Sequence, residues 1–180
     1  MKDEIKRRPM MTHSILYSAS DIQKRVAQLG RQIAADYPGA VLDLVIILKG
    51  AAFFGADLAR AIPNECRLHF LRAKSYQGDQ SQELSLELSK DMELKGRQVI
   101  IVEDMVDTGN TLKVLIPTLE QEEPESLKLC TLLQKHAVEG IQPDYLGFEA
   151  PDHWLIGYGF DLDQQYRNLP HIAIYKPPES

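Results

Sequence analysis

Residues 99–112 read Val-Ile-Ile-Val-Glu-Asp-Met-Val-Asp-Thr-Gly-Asn-Thr-Leu. The unbroken apolar run from Val99 to Val102 predicts a strand buried on both faces, at the centre of a parallel sheet. Glu103, Asp104 and Asp107 follow at once and are expected just past that strand's carboxyl end, where open α/β sheets place their ligands. Thr108-Gly109-Asn110-Thr111 then forms a turn into a helix that begins near Leu112. Gly109 is open to backbone angles closed to other residues, so successive amides can converge on one point beside the positive end of the helix dipole. That cup suits a phosphate. The acids beside it suit sugar hydroxyls and Mg²⁺, which takes oxygen ligands. An anion cradle next to a diol and cation site has the charge pattern of a 5-phosphoribosyl group.

Working outward, Ser20-Asp21-Ile22-Gln23 has the form of a capping box, and Ile22, Val26, Leu29 and Ile33 recur at helical spacing until Pro38-Gly39. Val41 to Leu48 is the next expected strand, and Phe53 to Ile62 the helix after it. Lys49-Gly50 lies between them, at the same end of the sheet as the acidic turn if the two strands are parallel. Arg67 to Leu71 predicts another strand, and the polar stretch Lys74 to Lys90 a long loop suited to a lid. Pro117 inside the helix after the acidic turn predicts a kink or an early end. Leu127 to Leu133 is the following strand, which places Lys135 at a strand's carboxyl end. From Pro143 onward the alternation stops. Tyr145 to Phe148, Leu155 to Phe160 and Ile172 to Tyr175 are strand-like pieces assigned to a smaller lobe with the N-terminal segment.

The chain has 180 residues, 44% of them hydrophobic and 26% charged, which fits one soluble globular domain, 1–180. A net charge of −6 argues against nucleic acid as the main partner, since that function leaves a basic footprint. The longest apolar stretch, Val41 to Leu48, is broken by Asp43 and falls well short of a membrane span. The N-terminal MKDEIKRRPMMTHS has no apolar core and is not a secretory signal. Cys66 and Cys130 sit in apolar runs and form no disulfide framework or metal spacing, so a reducing cytoplasm is the simplest setting. His13, His69, His136, His153 and His171 are scattered without a metal spacing or a partnered nucleophile.

The string Val102 to Thr111, Val-Glu-Asp-Met-Val-Asp-Thr-Gly-Asn-Thr, resembles the phosphoribosyl pyrophosphate (PRPP) signature of the type I phosphoribosyltransferases. Nearly the whole chain is similar to the hypoxanthine-guanine branch of that family. The resemblance implies an α/β fold, a mostly parallel sheet flanked by helices (about 20–142) with a small hood lobe, formed by the N-terminal segment and about 143–180, over its carboxyl edge. It implies purine salvage, in which the 5-phosphoribosyl group passes from PRPP to N9 of hypoxanthine or guanine and pyrophosphate leaves, with Mg²⁺ required. Lys49, Gly50, Ser75, Tyr76, Glu103, Asp104, Thr108, Gly109, Asn110, Thr111 and Arg167 match its PRPP and pyrophosphate contacts. The family's Leu-Lys-Gly loop carries a non-proline cis peptide before the lysine that turns an amide toward pyrophosphate. Met105, Lys135, Trp154 and Leu155 match purine contacts, with Lys135 donating to the 6-oxo group and Trp154 stacking on the base. Glu103, Asp104 and Asp161 match the Mg²⁺ positions, and Asp107 the general base near N7. Asn110 stands where relatives often carry lysine, and Met105 where they often carry isoleucine. The family's members are dimers or tetramers.

On general grounds a lone tryptophan packs in a core, and lysines at strand ends are solvated, so spacing by itself leaves Lys49, Lys135 and Trp154 open. Other classes compete for the same signature. A PRPP-sensing regulator would bring a nucleic-acid-binding surface, and a generic nucleotide module a Gly-x-Gly-x-x-Gly or Gly-x-x-x-x-Gly-Lys-Ser/Thr string, which this chain lacks. A pyrimidine transferase of the same fold is the nearest enzymatic alternative, against which Lys135 with Trp154 argues for a purine.

Overall fold

The computed structural model of the chain describes residues 13–75, 84–87 and 92–177. In chain order these are β1 (His13–Tyr17), α1 (Ala19–Asp36), β2 (Leu42–Leu48), α2 (Ala52–Ala61), β3 (Cys66–Ser75), β4 (Leu84–Glu87), β5 (Gln98–Val106), α3 (Asn110–Glu120), β6 (Ser126–Gln134), β7 (Tyr145–Glu149), β8 (Leu155–Ile156) and β9 (Ile172–Tyr175). A six-stranded sheet runs β4-β3-β2-β5-β6-β7, with every pair parallel except β3 with β4. A separate antiparallel sheet of three strands runs β1-β9-β8.

The central strands are apolar on both faces because helices cover both. Leu42, Leu44 and Ile46 of β2 join Ile100 and Val102 of β5 in a core closed by Ile22, Val26, Leu29 and Ile33 of α1 and by Phe54 and Leu58 of α2. On the other face Val45, Ile47, Val99 and Ile101 pack against Leu112, Leu115 and Leu119 of α3. Alternate residues of a strand point to opposite faces, so one hydrophobic run serves two cores. The exception is Asp43 of β2, 1% exposed, which faces His69 at 2.7 Å with Arg67 and Arg97 at 3.5 and 4.0 Å. Buried charge of this kind is tolerated only when it is paired.

Several boundaries differ from the sequence reading, each for a local reason. The capping box of α1 is Ser18 with Asp21, two residues before the expected start, since Ser18 Oγ accepts from the Asp21 amide and Asp21 takes the Ser18 amide in return. α3 does not end at Pro117 but runs on to Glu120. The proline exposes its ring to solvent on the outer face of the helix, and Thr118 Oγ1 donates to Val114 O at 2.7 Å beside it. Tyr145 to Phe148, assigned to the smaller lobe, falls in β7, which pairs parallel with β6 at the edge of the large sheet. Only Leu155–Ile156 of the predicted Leu155 to Phe160 strand is a strand, and Gly157 and Phe160 close a turn after it. Within the expected 74–90 loop, β4 pairs with the end of β3. Tyr76 and most of that loop lie outside the described residues, and Ser75 is described by its backbone alone.

Candidate active site

Parallel pairing brings the carboxyl ends of β2, β5 and β6 to one edge. Each carries a residue singled out from the sequence. β2 hands over to Lys49-Gly50 through a cis peptide between Leu48 and Lys49. β5 continues to Val106, so Glu103 and Asp104 lie in its last ladder positions rather than beyond it; Glu103 still pairs with Thr131 of β6. Lys135 follows β6 and its amide bonds back to Val106 O at 3.0 Å.

Gly50 is a requirement of this edge. A Cβ built there would overlap the Asp104 carboxylate, and one built on Gly159 (φ 106°) would overlap Gly50 O. The turn after β2, the end of β5 and the loop after β8 are thus in direct contact, with no room for a side chain at either glycine.

Glu103 is buried, and burial next to the Asp104 carboxylate pushes its own carboxyl well above the usual range. Burial raises Asp104 as well, against the pull of Arg167 and of the Met105 amide, which donates to Asp104 Oδ1 at 2.8 Å. Two adjacent acids that resist ionising are a poor structural device. They form a natural seat for hydroxyl groups or a cation, either of which relieves the repulsion.

Beyond Asp104 opens a cleft of ≈ 660 Å³, a size suited to a small-molecule ligand. Met105, Asp107, Lys135, Trp154, Leu155, Asp161 and Arg167 line it with Asp104. Lys135 Nζ stands 3.3 Å from Asp107 Oδ2 and 3.5 Å from Asp152 Oδ1. Trp154 is 72% exposed, so the core-packing expectation for it is overturned. An exposed tryptophan over a cleft is unusual for a folded chain, and Leu155 beside it is buried. Arg167 bridges to Asp161 at 2.7 Å and donates to Gly159 O at 2.6 Å.

Thr108 to Thr111 lead directly from Asp107 into α3. Gly109 is the N-cap with φ 73°, a left-handed conformation that glycine takes without cost, and it nestles against Val138 and Ile141. The N-cap glycine supplies no side chain to α3, and the first turn holds no acid; Thr108 Oγ1 accepts from the Asn110 amide at a long 3.5 Å, which leaves the amides that follow for another acceptor. Among the described residues no group of three or more His, Cys, Asp or Glu is arranged to hold a metal by protein atoms alone. The carboxylates of Glu103, Asp104 and Asp161 are oxygen donors of the type that Mg²⁺ prefers, with those of Asp161 taken up by Arg167 and Gln164.

Asp152, His153, Phe160 and Tyr175 also line the cleft and Gln164 contacts Lys49, none of which was singled out by type or spacing. No helix among the described residues is long and apolar enough to cross a membrane.

A family model described as a phosphoribosyl transferase domain matches residues 13–164. A hypoxanthine-guanine phosphoribosyltransferase of Mycobacterium avium is 40% identical over 174 residues, covering 91% of this chain and 86% of the relative. A crystal structure of a hypoxanthine-guanine phosphoribosyltransferase from Bacillus anthracis, with a HEPES molecule in its active site, superposes with TM-score 0.86 at 35% identity, covering 93% of this chain and all of that one. A hypoxanthine phosphoribosyltransferase from Trypanosoma cruzi, in complex with the product IMP, has TM-score 0.86 at 32% identity, covering 96% of this chain and 98% of that one.

Proposed function

The chain belongs to the phosphoribosyl transferase family, and from that membership we propose that it is a purine-salvage enzyme that transfers the 5-phosphoribosyl group of PRPP to hypoxanthine or guanine. The products are the nucleoside monophosphate and pyrophosphate. The observation that carries the reading is the cleft, where Asp104 and Asp107 at the end of β5 meet Lys135 and an exposed tryptophan, with the start of α3 following directly on Asp107 in the chain.

The uncapped amides of α3, with Thr108, Gly109, Asn110 and Thr111, hold the 5-phosphate. Glu103 and Asp104 hold the ribose hydroxyls, and with Asp161 they are the residues that would hold Mg²⁺. When bound, Mg²⁺ neutralises the charge that builds on the departing pyrophosphate. Lys49, Arg167, the Gly50 amide and Ser75 with Tyr76 add positive groups and donors around the same leaving group. Trp154 and Leu155 cover the faces of the purine and Met105 packs at its edge, fixing N9 against the anomeric carbon. As the C1–O bond to pyrophosphate breaks and the C1–N9 bond forms, the purine sheds the proton at N7 to Asp107. Lys135 donates to the 6-oxo oxygen, where negative charge collects. Asp107 and Lys135 begin as an ion pair, so each is held in place until the base arrives between them and Trp154.

The whole chain, 1–180, acts as one catalytic domain, with the β1-β9-β8 sheet as the hood over the cleft. It works in the cytoplasm on small-molecule substrates, with no nucleic acid or membrane partner, as a homodimer or homotetramer. The test is pyrophosphate release from PRPP and Mg²⁺ with hypoxanthine, guanine, xanthine and a pyrimidine base in turn, beside a control without base. Release with hypoxanthine or guanine only is expected. Release with the pyrimidine alone, or equally without any base, overturns the reading.

A further inference from the structure

The Lys49 ammonium donates to the side-chain oxygen of Gln164 at 2.7 Å. The rest of Gln164 is committed to one carboxylate, since its backbone N–H and its Nε2 donate to Asp161 Oδ2 at 2.8 and 3.3 Å. The other oxygen of Asp161 takes Arg167 at 2.7 Å. One amide side chain therefore ties the turn after β2 to the loop after β8. Gln164 itself has φ 62°, between Asp163 at 51° and Tyr166 at 71°. Non-glycine residues stay in the left-handed region only where their surroundings hold them there, and such positions cluster at ligand clamps.

We propose that Gln164 is a positioning residue for the transfer reaction: anchored on the Asp161 carboxylate, its side-chain oxygen parks the Lys49 ammonium beside the place where pyrophosphate sits. The inference rests on the transferase reading above. A free lysine side chain spreads over many rotamers, and ordering it before substrate arrives removes that cost from binding. The position calls for an amide. Its oxygen accepts from Lys49 while its nitrogen donates to Asp161, a combination that neither a carboxylate nor an aliphatic side chain offers. Glutamate in its place keeps the lysine contact but sets a second negative charge against Asp161 and against the departing pyrophosphate.

The experiment compares the full chain with Gln164→Ala, Gln164→Glu, Lys49→Ala and the Lys49→Ala/Gln164→Ala double variant. In Gln164→Ala, KM for PRPP is expected to rise roughly three- to ten-fold, the worth of a solvent-exposed charged hydrogen bond, with KM for the purine within about two-fold of wild type. Gln164→Glu raises KM for PRPP at least as far. In the Lys49→Ala background the Gln164→Ala change adds nothing more, because its effect passes through the lysine. Equal rises in both KM values, or additive effects in the double variant, overturn the proposal in favour of plain loop stability. A second readout needs no turnover. Acetic anhydride labels Lys49 faster in Gln164→Ala than in wild type, whereas equal labelling rates overturn the positioning role even if kinetics changed. A wild-type chain that turns over no base fails the transferase reading by itself, while the labelling comparison still decides whether Gln164 holds Lys49.

Discussion

Lys135 Nζ lies 3.3 Å from Asp107 Oδ2, joining the carboxyl end of β6 to the turn after β5. The lysine side chain is 11% exposed and that of Asp107 43%, so the pair is sheltered on one side and open to the cleft on the other. In the proposed reaction this arrangement keeps a base and a donor ready at one rim. In Asp107→Asn we expect PRPP binding to survive, because that residue touches neither phosphate nor ribose in the proposed pose. Turnover should fall about 10²- to 10⁴-fold, the usual worth of a general base. Isothermal titration with PRPP beside steady-state rates checks the split, and an unchanged rate removes Asp107 from the role.

Gly50 offers a steric test. Because a Cβ there would overlap the Asp104 carboxylate, Gly50→Ala must push the turn or the acid aside. The expected outcome is a loss of PRPP turnover of at least about 100-fold, as a displacement of roughly 1 Å at a reacting site costs. Thermal stability should fall as well, since the turn, Asp104 and the loop after β8 pack with no room for the added carbon. Near-normal kinetics in a folded Gly50→Ala protein speak against this turn's place in the site.

Glu103 and Asp104 predict a pH signature of the unliganded chain. Both carboxyls are raised in the folded state, so the native protein keeps protons that the unfolded chain has already shed. Stability contributed by the protonated pair is complete below the ordinary carboxylate range, and it drains away as pH rises through the folded values. Melting curves recorded without Mg²⁺ or PRPP should therefore show Glu103→Gln more stable than wild type at neutral pH, with the difference vanishing in acid. A difference that persists unchanged in acid contradicts this assignment.

Tyr158 ties the loop after β8 to α2 by donating to Asp57 Oδ2 at 2.7 Å. Burial, together with that bond, pushes its hydroxyl above the usual tyrosine range, so it stays a donor at every working pH. Tyr158→Phe should cost roughly 1 kcal/mol. For a chain of this size that lowers Tm by about 2–4 °C. Calorimetry reads it directly, and no shift in Tm means that solvent replaces the bond.

The sequence by itself determined the inner strands and the helices of the large sheet but not its edge strands β4 and β7, because strands such as Leu42–Leu48 and Val99–Val102 are almost wholly apolar on both faces and α1 carries its stripe at helical spacing. It also marked the strand-end residues Lys49, Asp104, Asp107 and Lys135, since parallel strands bring their carboxyl ends to one edge whatever the order of the strands. Element ends were less legible. Ser20 reads as the cap in the sequence, and hydrogen bonding puts it at Ser18 instead. Pro117 reads as a helix breaker, yet α3 runs through it to Glu120.

Tertiary structure alone decided the rest. That Trp154 stands open over a cleft instead of filling a core, that Gly50 and Gly159 are glycines because their backbones touch across the site, and that Gln164 reaches Lys49 are facts of distance between segments far apart in the chain. Hydrophobic periodicity reports which face of an element is dry. It carries no record of which distant loop closes on that face, because that contact is made by backbone shape and a few polar atoms that leave no repeating mark in the sequence.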